Sequence, residues 1–196
     1  MKTNKFLFIV LILSVALFIY IPCHYFENNK NRTRTILGKM YGKQIIFPKN
    51  LKRFQYENNS QNFCSEELPL YLSKTSKIVI YFSSDMCIEC NMDKIYSWKE
   101  LEKGFPNVKF IYVLSCNNHN IEKIKCELNN YKDISNLYFD EEDCLLRLNP
   151  QVGTNPLLHV FALDQNNIVE IVGDPLYNTK LLQLYKEWYN KTVCYN

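Results

Sequence analysis

The arrangement of residues 77–90 limits the possible folds of this chain more than any other feature. Positions 77–82 read KIVIYF, a nearly continuous apolar run rich in β-branched residues, which is typical of a strand buried on both faces in a parallel sheet. Ser83, Ser84 and Asp85 follow and can cap a helix. Cys87-Ile88-Glu89-Cys90 then opens a segment with apolar residues at helical spacing. The sequence therefore predicts a buried strand that leads directly into a helix with two cysteines in its first turn.

Strands and helices alternate along the rest of the chain. After the buried strand we predict a helix, a strand, a helix, a short strand, a helical turn, a β-hairpin with a four-residue loop and a final helix capped by Asn178 or Thr179. The helix, strand, helix, short strand and helical turn are placed at residues 87–105, 108–114, 120–131, 137–139 and 140–148. The two strands of the hairpin are placed at residues 157–163 and 168–172. This order predicts an α/β fold with a central mixed sheet flanked by helices.

The region before residue 64 is harder to assign. Residues 45–47 are a candidate outer strand, and the polar stretch 56–64 is predicted to be a loop. We expect four parts: a signal anchor or signal peptide at 1–26, a polar tether and extension with a short strand at 27–63, the α/β domain at 64–190 and a tail at 191–196.

The charge distribution argues against nucleic acid as a partner. The chain of 196 residues has 23 basic and 20 acidic residues, a formal charge of +3, with no long basic run. Nucleic-acid binding proteins normally carry a basic patch or stripe. The hydrophobic share of 47% is instead that of an ordinary folded protein.

The first residues predict a membrane segment. Lys2 and Lys5 precede an uncharged run at residues 6–23, which is typical of the positive and apolar regions of an export signal. The small residues that signal peptidase requires are missing after the run, which favours an uncleaved anchor. A helix of roughly 18 residues would be ~27 Å long, close to the ~30 Å of a bilayer core.

The orientation of this anchor depends on opposing signals. The basic residues after the run favour a cytoplasmic location: Lys30, Arg32, Arg34, Lys39 and Lys43. A very short N-terminal tail and eight cysteines favour export to an oxidising compartment. We expect the domain to face the periplasm or the cell exterior. Cys23 lies where a lipid-modified cysteine would stand, but Ile21 and Pro22 match the residues expected before it poorly.

The cysteine pair predicts thiol chemistry. A helix N-terminus stabilises an anion, so the thiol of Cys87 can ionise below its ordinary pKa of about 8.5 and attack a disulfide. Cys90 can then attack the resulting mixed disulfide and release the product. These two residues are the candidate catalytic groups.

Two other uses of the pair remain open, namely a structural disulfide and half of a zinc site. No second pair at metal-ligand spacing is present, so we expect no metal. The other cysteines of the predicted domain and tail could be buried thiols or structural disulfides: Cys64, Cys116, Cys126, Cys144 and Cys194. Their pairing does not follow from the sequence.

Residues of roughly 42–190 resemble the membrane-tethered, exported thioredoxin-like proteins of bacteria, including the branch that reduces apocytochrome c. The resemblance lies in residues 78–82, Cys87-Ile88-Glu89-Cys90, the hairpin around Asp164 and Gly173-Asp174-Pro175. It implies a thioredoxin-like fold and exchange of disulfides with other exported proteins. It also implies that no cofactor takes part.

The resemblance also implies a cis proline that faces the disulfide just before the hairpin strand, where substrate binds. Pro156, with Asn155, is the candidate; an alternative alignment puts Leu158 at that place and makes Pro156 an ordinary loop proline. His159 would lie on the hairpin strand, where a hydrogen-bonded structural role is favoured over a catalytic one. Tyr81 stands where thioredoxin has a buried acid, and Met86 where the superfamily usually has tryptophan.

The direction of electron flow is predicted from one charge. Glu89 places a carboxylate between the two cysteines, which disfavours the thiolate and favours a weak reductant. The rival class is a tethered module that binds proteins and keeps the two cysteines as a permanent bridge. The missing tryptophan and acid favour that alternative.

Overall fold

The computed structural model describes residues 38–57, 60–65, 72, 74–84, 88–116, 124, 126, 128 and 134–194. The chain divides into two compact units, residues 1–39 and 40–196. The second unit contains all the strands and helices that are named below, and its first residues fall within the predicted extension 27–63.

A seven-stranded sheet runs through the described part of the second unit. Its strands are β1 (Lys52–Glu57), β2 (Ser60–Ser65), β3 (Lys77–Phe82), β4 (Lys109–Ser115), β5 (Leu137–Asp140), β6 (Val160–Leu163) and β7 (Val169–Val172). Their spatial order is β2-β1-β5-β4-β3-β6-β7. Strands β3, β4 and β5 are parallel, and the outer pairs are antiparallel. The sheet is therefore mixed, with its parallel strands in the centre.

Helices flank this sheet. They are α1 (Ile88–Glu102), α2 (Cys144–Leu148) and α3 (Thr179–Cys194), and a short 3₁₀ helix spans Pro156–Leu158. Residues 124, 126 and 128 are also helical, as the predicted helix at 120–131 requires. The Asn178 side chain accepts a hydrogen bond from the backbone N–H of Leu181 at 3.0 Å, which confirms the predicted cap of α3.

The main hydrophobic core lies between one face of the sheet and helices α1 and α3. Every residue of β3 is buried, and alternate side chains of a strand point to opposite faces. Ile80 belongs to the core cluster together with Trp98 of α1 and Tyr185 of α3. Tyr81 lies on the opposite face, where its hydroxyl contacts the residue before α2. The predicted α/β fold with a mixed sheet and flanking helices is confirmed.

The predicted loop at residues 56–64 is wrong, because most of this stretch is paired in strands. β1 and β2 form an antiparallel hairpin with six register pairs, from Lys52 opposite Ser65 to Glu57 opposite Ser60. Residues 58–59 lie outside the described part. Strand pairing at the edge of a sheet relies on main-chain groups that polar residues also possess, so hydropathy gives little sign of it.

The predicted strand at residues 45–47 is also wrong. Gln44 makes an isolated bridge with Ile168, but the next residues form no ladder. The side chain of Asn149 instead accepts a hydrogen bond from the backbone N–H of Ile46 at 2.8 Å and donates one to its carbonyl oxygen at 2.8 Å. A side-chain amide thus takes the place of a neighbouring strand.

The predicted membrane segment at residues 6–23 lies outside the described residues. Within the part of the chain that the structure describes, no helix is both long and apolar enough to cross a bilayer.

Candidate functional site

The candidate site begins where β3 leads into α1. α1 has 15 residues and starts at Ile88, so the backbone of Cys90 lies in its first turn. Cys87 lies outside the described residues, and only the backbone of Cys90 is described. The free N–H groups of this first turn and the helix dipole favour negative charge nearby. The backbone of Cys90 lies at the start of the helix, as predicted. The position of Cys87 stays a prediction.

His159, three residues after Pro156, pairs with β3 near the carboxyl end of that strand. The backbone N–H of Tyr81 donates a hydrogen bond to the carbonyl oxygen of His159 at 2.8 Å. This contact continues the antiparallel pairing of β3 with β6 by one residue. The structure therefore places His159 beside β3, and the distance of Asn155 and Pro156 from the cysteine segment is not among the described contacts.

Pro156 does not have the cis bond that the resemblance implies. The described peptide bonds are all trans, including the bond between Asn155 and Pro156. The Asn155 side chain accepts a hydrogen bond from the backbone N–H of Leu157 at 3.1 Å and caps the 3₁₀ helix. Proline fits the first position of such a turn because its fixed φ suits it and no N–H is needed there. The alternative that places Leu158 at the substrate position, and any contact of Asn155 or Pro156 with substrate, stay predictions.

A polar cluster lies next to this segment, at the carboxyl ends of the parallel strands. We name Tyr81, Ser115, Asp143 and His159 the carboxyl-end cluster. The Tyr81 hydroxyl donates a hydrogen bond to Asp143 Oδ1 at 2.6 Å, and the Ser115 hydroxyl donates to the same oxygen. Asp143 has φ of 51°, a left-handed conformation that Asp adopts more readily than most residues. The loop before α2 is thereby attached to two strands.

Among the members of the carboxyl-end cluster, His159 has the least complete set of hydrogen bonds. Its side chain is 3% exposed, and its ring meets that of Tyr81 edge-on, with centroids 5.1 Å apart. Nε2 lies 3.1 Å from the carbonyl oxygen of Gly153, whereas Nδ1 has no hydrogen-bond partner among the residues that the structure describes. The contact of Nε2 agrees with the hydrogen-bonded structural role that the sequence favours, and the choice between that role and a catalytic one stays a prediction.

Burial dominates the electrostatics around the carboxyl-end cluster. It raises the pKa of Tyr81 well above its usual range, helped by the hydrogen bond to Asp143, and it lowers the pKa of His159. Burial also raises the pKa of Asp140, which lies at the end of β5. The pKa of Cys116 rises to about 12 through burial and the nearby carboxylates of Glu141 and Asp140. At neutral pH Tyr81 and Cys116 are therefore protonated, and His159 is neutral.

The remaining cysteines add no further pair in the described part. Cys116, Cys126 and Cys144 are free thiols, and the side chains of Cys64 and Cys194 lie outside the description. Among the residues that the structure describes, no group of three or more His, Cys, Asp or Glu side chains is placed to hold a metal ion.

The sequence did not identify the carboxyl-end cluster as a unit. Tyr81 and Asp143 are 62 positions apart, and Ser115 and Asp143 are 28 apart. One signal was visible: a hydroxyl and an imidazole interrupt otherwise apolar strand segments at 81 and 159. Such interruptions of a buried strand need polar partners, which only the folded chain reveals.

Known structures resemble the described fold at low sequence identity. A candidate thiol-disulfide oxidoreductase from Bacteroides vulgatus superposes with a TM-score of 0.50 and 12% identity, over 75% of this chain and 95% of that one. An uncharacterised thioredoxin-like protein from Porphyromonas gingivalis gives 0.46 and 14%, over 79% and 94%. No protein-family model and no curated protein matches the sequence. The predicted thioredoxin-like fold is confirmed, and we conclude that this chain adopts it.

Proposed function

We propose that this protein is a thiol–disulfide oxidoreductase that uses Cys87 and Cys90. The observation that supports the proposal is the start of α1, a 15-residue helix with the backbone of Cys90 in its first turn, which begins six residues after the last residue of the fully buried β3. Helix dipoles act most strongly on groups in the first turn, so a thiol there ionises more readily.

The reaction proceeds in two exchanges. The thiolate of Cys87 attacks one sulfur of a partner disulfide, which forms a mixed disulfide and releases the other partner sulfur as a thiolate. The sulfur of Cys90 then attacks Cys87, breaks the mixed disulfide and releases the second partner sulfur. Two electrons pass from the dithiol to the partner, and the pair ends as an internal disulfide. Protein side chains suffice for these steps, so the proposal includes no cofactor.

The proposed partners are exported proteins with thiols or disulfides, and the direction is reduction. The carboxylate of Glu89 lies between the two cysteines in the sequence. A negative charge at that place disfavours the thiolate, which makes the dithiol a better electron donor. Asn155 and Pro156 are proposed to contact the substrate, because they shortly precede His159, whose carbonyl oxygen pairs with Tyr81 near the end of β3.

We further propose that residues 6–23 tether the protein to a membrane, with the second unit on the periplasmic or external side. The support is the pair of lysines before an uncharged run and the absence of small residues after it. An oxidising compartment also supplies disulfides on which such a protein can act.

Insulin reduction by the full-length protein in detergent, with dithiothreitol as electron donor, tests the exchange. We expect turnover above the rate of dithiothreitol alone. The Cys87→Ser variant should fall to that background rate because the attacking thiolate is gone. Cys126→Ser is the matched control, since it removes an exposed free thiol elsewhere and should keep full activity.

Equal turnover by the parent and the Cys87→Ser variant would contradict the proposal. Background turnover by both would favour a module that binds proteins through the same fold. The direction is tested separately, by equilibration with glutathione buffers. We expect a reduction potential more negative than about −150 mV. A potential more positive than this limit would be near that of strong oxidants and would contradict the proposed direction.

A further inference from the structure

We propose that the second unit binds the surface of an anionic lipid bilayer through a basic and apolar face formed by residues 41–50 and 144–151. We name these two segments the docking face. The inference rests on the proposed membrane tether but not on the proposed thiol exchange. Its basis is the exposed apolar side chains of the two segments, the charge around them and their place in the chain.

The two segments of the docking face lie side by side. The side chain of Asn149 accepts a hydrogen bond from the backbone N–H of Ile46 and donates one to its carbonyl oxygen, both at 2.8 Å. Gln151 Nε2 donates a hydrogen bond to the carbonyl oxygen of Gln44 at 3.4 Å. Leu148, the neighbour of Asn149, is therefore close to Ile46 although the two are far apart in the sequence.

Large apolar side chains of the docking face are exposed. Ile46 is 54% exposed and Leu148 is 45% exposed, and Tyr41 of the first segment is exposed as well. Ile45, in contrast, is buried, so the chain directs neighbouring side chains to the core and to the surface. Exposed apolar side chains that have polar neighbours mark contact with another protein or with a membrane.

The charge of the chain favours the membrane. Residues 28–53 contain eight basic residues and no acidic residue, whereas residues 54–196 contain 13 basic and 19 acidic residues. Basic side chains near a bilayer are attracted to anionic headgroups, and apolar side chains enter the interfacial region. Lys43 and Lys49 are exposed and lie three positions before and after Ile46. The same face therefore offers both kinds of contact.

The acidic residues just before the second segment are engaged in contacts within the protein. Glu142 pairs with Arg147 at 3.0 Å, and Glu141 pairs with Lys52 at 2.7 Å. The carboxylate of Asp143 accepts hydrogen bonds from two hydroxyl groups of the sheet. The docking face itself contains three basic residues and no acidic residue, so its net charge is positive.

The place of the docking face in the chain supports the same partner. The proposed membrane segment ends at residue 23, and 16 residues separate it from Met40, the first residue of the second unit. A chain of 16 residues spans at most ~56 Å. Such a short connection gives the lipid surface a high effective concentration, so that a weak contact suffices for docking.

Docking through this face determines which side of the sheet is turned to the lipid. Asn149 also donates a hydrogen bond to the carbonyl oxygen of Leu145 in α2. The residue before α2 contacts Tyr81 on one face of the sheet, whereas Trp98 of α1 packs on the other. The docked domain therefore turns α1 away from the bilayer, toward partners in solution.

Fluorescence of the full-length protein reconstituted into vesicles tests the docking. Ile46→Trp places a tryptophan on the docking face, whereas the native Trp98 and Trp188 are buried in the core on the opposite side of the sheet. Phosphatidylcholine brominated in its acyl chains quenches a tryptophan that contacts the bilayer. We expect strong quenching when an equal amount of phosphatidylglycerol is present and weak quenching without it. Leu184→Trp, at a position of α3 that is 51% exposed, is the matched control and should stay unquenched in both vesicles.

Removal of positive charge tests the choice of lipid. In the Ile46→Trp protein, Lys43→Gln with Lys49→Gln should lower the ratio of docked to undocked protein about 30-fold in phosphatidylglycerol vesicles. Lys180→Gln with Lys186→Gln removes the same charge from α3 and should leave the quenching unchanged. Unchanged quenching after the loss of Lys43 and Lys49 would overturn the proposal.

Flotation of the vesicles separates the docking from the tether. Flotation of the protein without quenching of Ile46→Trp would overturn the docking and leave the tether in place. Failure to float with either kind of vesicle would contradict the tether and the docking together.

A measurement on the unaltered protein decides the matter if Ile46→Trp does not fold. A water-soluble reagent that acylates amines should modify Lys43 and Lys49 more slowly in phosphatidylglycerol vesicles than in phosphatidylcholine vesicles, and Lys186 equally in both. Equal modification of Lys43 and Lys49 in the two vesicles would overturn the proposal. Protection in detergent that increases with protein concentration would identify a second copy of the chain as the occupant and would also overturn it.

Discussion

At the scale of single residues, the carboxyl-end cluster has a counterpart at the other end of β3. Lys77, the first residue of the strand, is fully buried and donates a hydrogen bond from Nζ to Asn167 Oδ1 at 2.5 Å. Burial lowers the pKa of Lys77 to about 8, and the Asp164 carboxylate partly opposes the shift. Asn167 has a positive φ of 63° at the end of the hairpin loop. The amine therefore links the start of β3 to the loop between β6 and β7.

This buried amine should make the stability of the protein depend on pH. Between pH 8 and 10.5 the unfolded chain keeps the proton of Lys77 that the folded protein loses, so the free energy of unfolding contributed by this residue rises with pH. We expect the difference between the parent and Lys77→Met to change by about 1 kcal/mol per pH unit. Urea unfolding at pH 7.5, 8.5 and 9.5 measures it.

The comparison must be made as a difference because another group acts in the opposite direction. The raised pKa of Cys116 lowers stability as pH rises through 9, and Lys77→Met leaves this contribution in place. Lys74→Met, at an exposed position, is the matched control and should follow the parent. A constant difference from pH 7.5 to 9.5 would show that Lys77 keeps its proton.

At the scale of secondary-structure elements, α2 shows how a five-residue helix is held in place. The buried carboxylate of Asp140 accepts hydrogen bonds from the backbone N–H of Cys144 at 2.7 Å and of Leu145 at 2.8 Å. A helix this short gains little from its own hydrogen bonds. Its position therefore depends on Asp140, on Asp143 and on the burial of Leu145.

Replacement of Asp140 should release the start of α2. Asp140→Asn leaves one acceptor where two N–H groups need partners, and the loss should lower the free energy of unfolding by about 1–3 kcal/mol. Glu141→Gln is the matched control because it makes the same chemical change one residue away. Its ion pair with Lys52 is partly exposed, so the cost should stay below about 1 kcal/mol. Equal losses measured by urea unfolding would contradict the assigned role of Asp140.

The elements that could be predicted are those whose apolar pattern decides their structure. β3, β4 and the β6–β7 hairpin were predicted from buried runs, and the cap of α3 from Asn178. The β1–β2 hairpin was missed because edge pairing depends on backbone groups rather than hydropathy. The amide bridge from Asn149 to Ile46 was missed because it joins positions 103 residues apart. The same reason applies to the carboxyl-end cluster, whereas the two cysteines lie within four consecutive positions of the sequence, and their catalytic use stays a prediction.

At the scale of the whole molecule, the proposed tether determines where the protein acts. Full-length protein produced in a Gram-negative host should sediment with membranes and resist extraction by carbonate, because residues 6–23, proposed as an apolar helix of ~27 Å, would be held in the bilayer. Protease added to spheroplasts should degrade it if the domain is external. The Lys2→Glu, Lys5→Glu double variant should reduce export, since it removes the positive charge before the apolar run. Recovery in the soluble fraction would contradict the tether, and protection from protease would contradict the orientation.

The outer hairpin, formed by β1 and β2, is joined to the rest of the sheet by few paired residues. β1 is joined to β2 by six register pairs, from Lys52–Ser65 to Glu57–Ser60, but to β5 by only two, Lys52–Phe139 and Arg53–Tyr138. Local opening of a protein follows the boundary that costs the fewest interactions. We therefore expect the β1–β2 hairpin to open before β3, β4 and β5 lose their pairing, at the cost of removing Phe54 from its packing against Phe139.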